Sequence, residues 1–145
     1  MAEKTQSFEN HVKFVPPFHF FILPVLLANV IWSIVRVVHS VSAWAAFEVL
    51  VAFALLLLAF VSRATALTVQ DRLIRLEMRL RLLEILPADL KPRIGDFTVG
   101  QLVSLRFASD AELPELARKV LADNVTDRKA IKKMVRNWQG DFLRA

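Results

Sequence analysis

The 145-residue sequence is 55% hydrophobic, has a mean hydropathy of +0.44, and carries 19 Lys+Arg against 14 Asp+Glu with neither cysteine nor tyrosine. That composition excludes a disulfide scaffold, a cysteine nucleophile and a Cys-ligated zinc or iron–sulfur site, and it argues against disorder because there is ample apolar surface to bury. Only Arg36 and Glu48 are charged between Phe14 and Ser62, a segregation foreign to water-soluble globular domains, so the length accommodates one membrane unit with a small appendage.

Residues 1–17 read as a cytoplasmic or interfacial tail. Glu3 and Glu9 accompany Lys4 and Lys13 there, no clean cleavage site follows, and a second apolar span comes at once, so a removable signal peptide is not expected. The apolar runs Phe18–Val38 and Ala43–Val61 each approach the ~20 residues that a helix needs to cross a ~30 Å hydrocarbon layer. Only His39-Ser40-Val41-Ser42 separates them, which predicts an antiparallel transmembrane hairpin over residues 18–61. Pro24 falls in the first turns of the first span, where it removes a backbone donor and crowds the preceding turn. Arg63, Arg72, Arg75, Arg79 and Arg81 follow the second span while the connecting loop has only His39, so the positive-inside rule puts both termini in the cytoplasm.

Three polar residues stand out within the spans. Reflection about the turn brings Arg36 level with residue 47 or 48, so an ion pair with Glu48 within the hairpin or between subunits is expected. The alternatives are Arg36 reaching the headgroups beside a protonated or hydrated Glu48, and a conductive role for Glu48. Asn29, near the middle of the first span, is expected to hydrogen-bond across helices. His11 and His19 fall on one side and His39 on the other, so a histidine metal site is not expected.

No Gly or Pro occurs from Ala43 to Leu86, which predicts one helix of about 66 Å at 1.5 Å per residue. Its cytoplasmic extension, residues 62–86, ends at Pro87. A heptad line runs Ala45, Ala52, Ala59, Ala66, Leu73, Leu80, with Val69, Leu76 and Leu83 (and Glu48, Leu55 and Ser62 before them) at its partner position. Small residues suit close helix approach in lipid, whereas larger ones gain about 25 cal/mol per Å² of burial in water. The line therefore reads as a coiled-coil seam between copies. A second stripe, Leu67, Ile74, Met78, Leu82 and Ile85, broadens the face enough to receive the downstream segment instead. Asp71–Arg75 and Glu77–Arg81 are in the favourable order for i,i+4 pairs.

Residues 87–145 read as a small helical module, marginal by itself and therefore expected to dock on the long helix. Thr98 with Gln101 and Ser109 with Glu112 have capping-box spacing, and Thr126 or Asp127 caps a last helix expected to reach Gln139. Its apolar line, Ile131, Met134 or Val135, Trp138 and then Phe142, is expected to pack on Leu102, Leu105, Leu116 and Val120. Arg128, Lys129, Lys132, Lys133 and Arg136 make that helix basic. A solvated face or contact with anionic lipid headgroups fits this, while nucleic acid is not expected without a recognised motif or an aromatic platform. No nucleotide-binding, metalloprotease or serine-hydrolase motif occurs, and nothing assembles a nucleophile, base and oxyanion site, so neither an enzyme nor a cofactor is expected.

The stretches NHVKFVPPFHFFILPVLLAN, ALTVQDRLIRLEMRLRLLEILP, QLVSLRFASDAELPELA and AIKKMVRNW resemble a family of small bacterial two-span membrane proteins classed as a domain of unknown function. The resemblance covers nearly the whole chain and implies a bacterial inner-membrane setting, with no activity or catalytic residues to carry over. The expectation is an all-α, homo-oligomeric membrane protein that displays its helical module as a scaffold, regulator or accessory subunit, with another membrane protein as a candidate partner. A small oligomeric channel with Glu48 near its outer mouth is the alternative.

Overall fold

The computed structural model describes residues 6–9 and 14–142. Glu3, Lys4, His11 and Lys13, which enter the sequence-based charge and histidine arguments, lie outside the described residues. The chain divides into two compact units, residues 14–67 and residues 6–9 with 68–142. The described residues are helical, with no strand beyond a single bridge between Ala108 and Trp138.

The first unit is a helical hairpin. A π-helix, Pro17–Ile22, leads directly into α1, Leu23–His39. The wide π turn lies just ahead of Pro24, whose ring would crowd the carbonyl one turn back in tight α geometry. Ser40 is extended, and the Ser42 hydroxyl accepts from the Ala45 amide at 3.1 Å, which caps the start of α2. The second helix, α2, spans Ala43–Ile85, 43 residues, with no break at the end of its apolar half. Pro17–His39 and α2 are both long and apolar enough to cross a membrane. The buried residues of the hairpin are small or slender, Val30, Ser33, Ala45 and Ala52, while Phe20, Trp32, Trp44, Phe53 and Leu57 point outward. Two helices alone bury only the narrow strip where they face, so large apolar side chains stay exposed.

In the second unit the last turns of α2 are part of the module's own core. Ile74, Met78, Leu82 and Leu86 are buried together with Leu102, Leu105, Leu113, Val120 and Ile131. The end of the expected extension, 62–86, thereby shares one interior with residues of the module, because a short segment with few core residues closes its interior on the nearest long apolar face. Pro87 ends α2, and a 3-10 helix, Lys91–Asp96, places Ile94 in that core. Helix α3, Val99–Leu105, opens with a complete Thr98–Gln101 capping box. Helix α4, Leu113–Ala122, closes on Asn124, whose φ of +46° lets the Val125 amide reach the Val120 carbonyl at 3.0 Å. Helix α5, Arg128–Met134, is capped by Asp127, which accepts from the amides of Lys129 and Ala130.

The structure shortens two sequence-based expectations. The Ser109–Glu112 pair does not open a helix at Ser109. Glu112 instead accepts from the amides of Ser109, Arg136 and Asn137, and α4 begins at Leu113. Those same bonds stop α5 at Met134, five residues short of the expected end, since amides held by a carboxylate outside the helix cannot continue its ladder. The chain then runs beside residues 107–109, with Gln139 donating to the Phe107 carbonyl at 2.7 Å and Ser109 donating to that of Asn137. Trp138 consequently stacks on Phe107 with ring centroids 4.4 Å apart, not on the α5 stripe. Phe142 is exposed rather than packed on α3 and α4.

Candidate functional site

Within the hairpin, the Arg36 guanidinium meets the Glu48 carboxylate at 2.9 Å, joining α1 to α2. The Ser33 hydroxyl donates to the Val30 carbonyl at 2.8 Å. An open cleft of 460 Å³ beside the pair takes in Asn29, Trp32, Trp44 and Phe47. Asn29 is exposed on the hairpin surface.

The expected seam separates into two parts. Ala45 and Ala52 are 4% and 1% exposed within the single chain. Ala59 and Ala66 line an apolar groove together with Phe18, Ile22 and Leu26 of the same chain. Within the single chain the hairpin itself covers Ala45 and Ala52, whereas Ala59 is half-buried and Ala66 exposed. The cause is geometric: a heptad line drifts by about 20° per repeat on a straight helix, so it does not hold one direction over six repeats. Farther along, Val69, Leu73, Leu76, Leu80 and Leu83 are 51% to 59% exposed. Ile74, Met78 and Leu82, interleaved with them, are at most 5% exposed and face the module. At roughly 100° per residue the two sets lie on opposite sides of α2.

Arg81 decides how the module grips α2. The expected Glu77–Arg81 pair gives way to a larger set of acceptors. Nε donates to Asp110 Oδ1 at 2.8 Å, Nη1 to the Arg106 carbonyl at 3.2 Å, and Nη2 to the Ala108 carbonyl at 2.7 Å and to Gln139 Oε1 at 2.9 Å. A guanidinium beside Met78 and Leu82 must fill its donors from whatever covers that face. Sequence position signals this only indirectly, as an arginine next to the stripe that the module covers. Arg106 lies over the Phe107 ring and pairs with Asp141 at 2.9 Å. Gln6, read from sequence as part of a tail, exchanges hydrogen bonds with the Asp141 backbone at 2.9 and 3.4 Å.

The five cations of the last helix do not form one uniform face. Arg128 turns toward Asp71 at 3.6 Å, Lys132 lies over the Phe107 ring and Lys133 over that of Phe8. Lys129 and Arg136 are exposed. Glu112 and Glu115 share a cleft of 270 Å³ with Lys119, Lys133 and Arg136, so that edge is of mixed charge. Elsewhere, the Arg118 guanidinium beside Asp89, 2.7 Å away, holds the Asp89 carboxyl below the usual carboxylate range. Among the described residues no group of three or more His, Asp or Glu is placed to hold a metal ion.

The most distinctive feature is therefore a surface, the uncovered leucine row of α2. Neither the curated proteins nor the solved structures yield a match to the chain. The model of a family of unknown function, DUF6526, matches residues 1–145, and the chain belongs to that family.

Proposed function

We propose that the protein is a non-enzymatic, self-associating scaffold of the bacterial inner membrane that holds its helical module at the cytoplasmic face for a regulatory or accessory role. The observation that carries this reading is the row Val69, Leu73, Leu76, Leu80 and Leu83, more than half exposed on a helix whose opposite side is already covered. Five large apolar side chains in one line on an aqueous segment are costly to leave in water and mark an association surface. The two apolar helices supply the anchor. The arginines that follow the second span favour a cytoplasmic position for both ends. The hydrogen bonds between Gln6 and Asp141, near the two ends of the chain, agree with a hairpin whose ends share one side. Lys129 and Arg136 are available to anionic headgroups.

The channel reading has less behind it. Glu48 is paired with Arg36 of its own chain, and two of the alanines that would line a close-packed bundle, Ala45 and Ala52, are buried inside the hairpin. Mass measurement of the full chain in lipid nanodiscs tests the proposal. The expected mass is a whole multiple, two or more, of the 16.5 kDa protomer; a single protomer at working concentration overturns self-association.

A further inference from the structure

We infer that the row Val69–Leu83 binds the same row of a second copy, parallel and in register, and that four charges beside it choose that arrangement. The inference rests on the reading of the protein as self-associating. The spacing of the row is 4, 3, 4, 3, so Leu73 and Leu80 occupy one core position of a coiled coil and Val69, Leu76 and Leu83 the other. The residues just before the first kind are Arg72 and Arg79. Those just after the second kind are Gln70, Glu77 and Glu84. One flank of the stripe is therefore basic and the other acidic.

That division has a directional consequence. In a parallel pair the first flank of one helix faces the second flank of its neighbour, five residues farther on. Arg72 then meets Glu77 of the second copy and Arg79 meets Glu84, on both sides of the interface. In an antiparallel pair like flanks face, which sets arginine against arginine and glutamate against glutamate. A slip of one heptad keeps half of the opposite-charge contacts and leaves part of the leucine row in water. Arg72, Glu77 and Glu84 are exposed and Arg79 half-buried. The module occupies the opposite side of α2, so a second helix can approach the row without displacing it. Two copies inserted with the same topology present their rows in the same direction, and confinement to a bilayer raises the effective concentration that two short heptads need.

The absence of cysteine from the sequence permits a clean test on the full chain in native membranes. In a Leu83→Cys background, oxidation is expected to give a disulfide-linked dimer, because position 83 meets its own counterpart only in the parallel, in-register pair. Adding R72E and R79E sets glutamate against glutamate; adding E77R and E84R instead sets arginine against arginine. Each variant alone is expected to lose cross-linking by about tenfold, a shift within reach of several exposed charge pairs acting together. Co-expression of the two is expected to restore it, which a misfolded variant could not do. Unchanged cross-linking in either variant alone, or no rescue on mixing, overturns the inference. If the nanodisc mass is still that of a multimer, the scaffold reading survives and only this seam fails. A single-protomer mass for the parent chain removes both. A particle of one copy plus a different chain overturns the pairing and assigns the leucine row to that chain.

Discussion

Arg36 and Glu48 are twelve residues apart and meet because the link between the helices is only three residues long. A charge left alone in the spans would be expensive, about 2.5–3.5 kcal/mol for arginine at mid-membrane on insertion scales and less near the boundary. Glu48→Gln is therefore expected to destabilise the hairpin by about 1 kcal/mol, below the mid-membrane figure because the pair lies close to the turn. The thermal midpoint of the protein in detergent reads the change. Neutralising both residues, Arg36→Gln with Glu48→Gln, is expected to recover most of the loss. The equal depth of the two residues was legible from sequence, since depth in a hairpin follows from counting residues back from the turn; that they pair within one chain was not. Nor were the roles of Arg81 and Glu112. Each is set by backbone carbonyls and amides that come from distant parts of the chain.

At the scale of the element, α2 carries two apolar rows in its second half, and the structure covers one of them. Leu82 is fully buried, whereas Leu80, two residues earlier, is 55% exposed. Leu82→Ala is expected to destabilise the module by about 2–5 kcal/mol, the range for a leucine deleted from a packed core. Hydrogen exchange of α3 and α4 in the full-length protein checks this. Leu80→Ala is expected to leave that exchange nearly unchanged and to lower the multimeric fraction. Equal effects of the two substitutions on exchange would mean that both rows belong to the core. Periodicity alone picks out both rows as one broadened face; the structure sets them about half a turn apart on opposite sides, and equal apolarity does not say which of them receives the module.

Within the larger assembly of the module, Arg81 ties α2 to the segment after α3 and to Gln139. Arg81→Gln is expected to cost about 3 kcal/mol, since it removes charge-assisted bonds and leaves the Arg106 and Ala108 carbonyls short of donors. Denaturant unfolding followed by Trp138 fluorescence measures it, and a loss under 0.5 kcal/mol, the scale of a surface change, would refute the clamp. Arg81→Lys is expected to recover only part, because an ammonium lacks the planar fork that reaches several acceptors at once.

Sequence by itself determined the helical class, the two apolar runs, the short turn, the unbroken α2, the Thr98 cap and the equal depth of Arg36 and Glu48. Each follows from local rules: the distribution of apolar residues, the absence of Gly and Pro, capping chemistry, or depth counted from a turn. Tertiary structure alone decided that Ala45 and Ala52 are buried in the hairpin, that Ile74, Met78 and Leu82 belong to the module's core, that α5 stops at Met134, and that Gln6 returns to Asp141. These outcomes depend on which surfaces find each other when several compete for the same apolar face. That competition is settled by the fit and the hydrogen-bond demand of segments far apart in the chain, which no periodicity records.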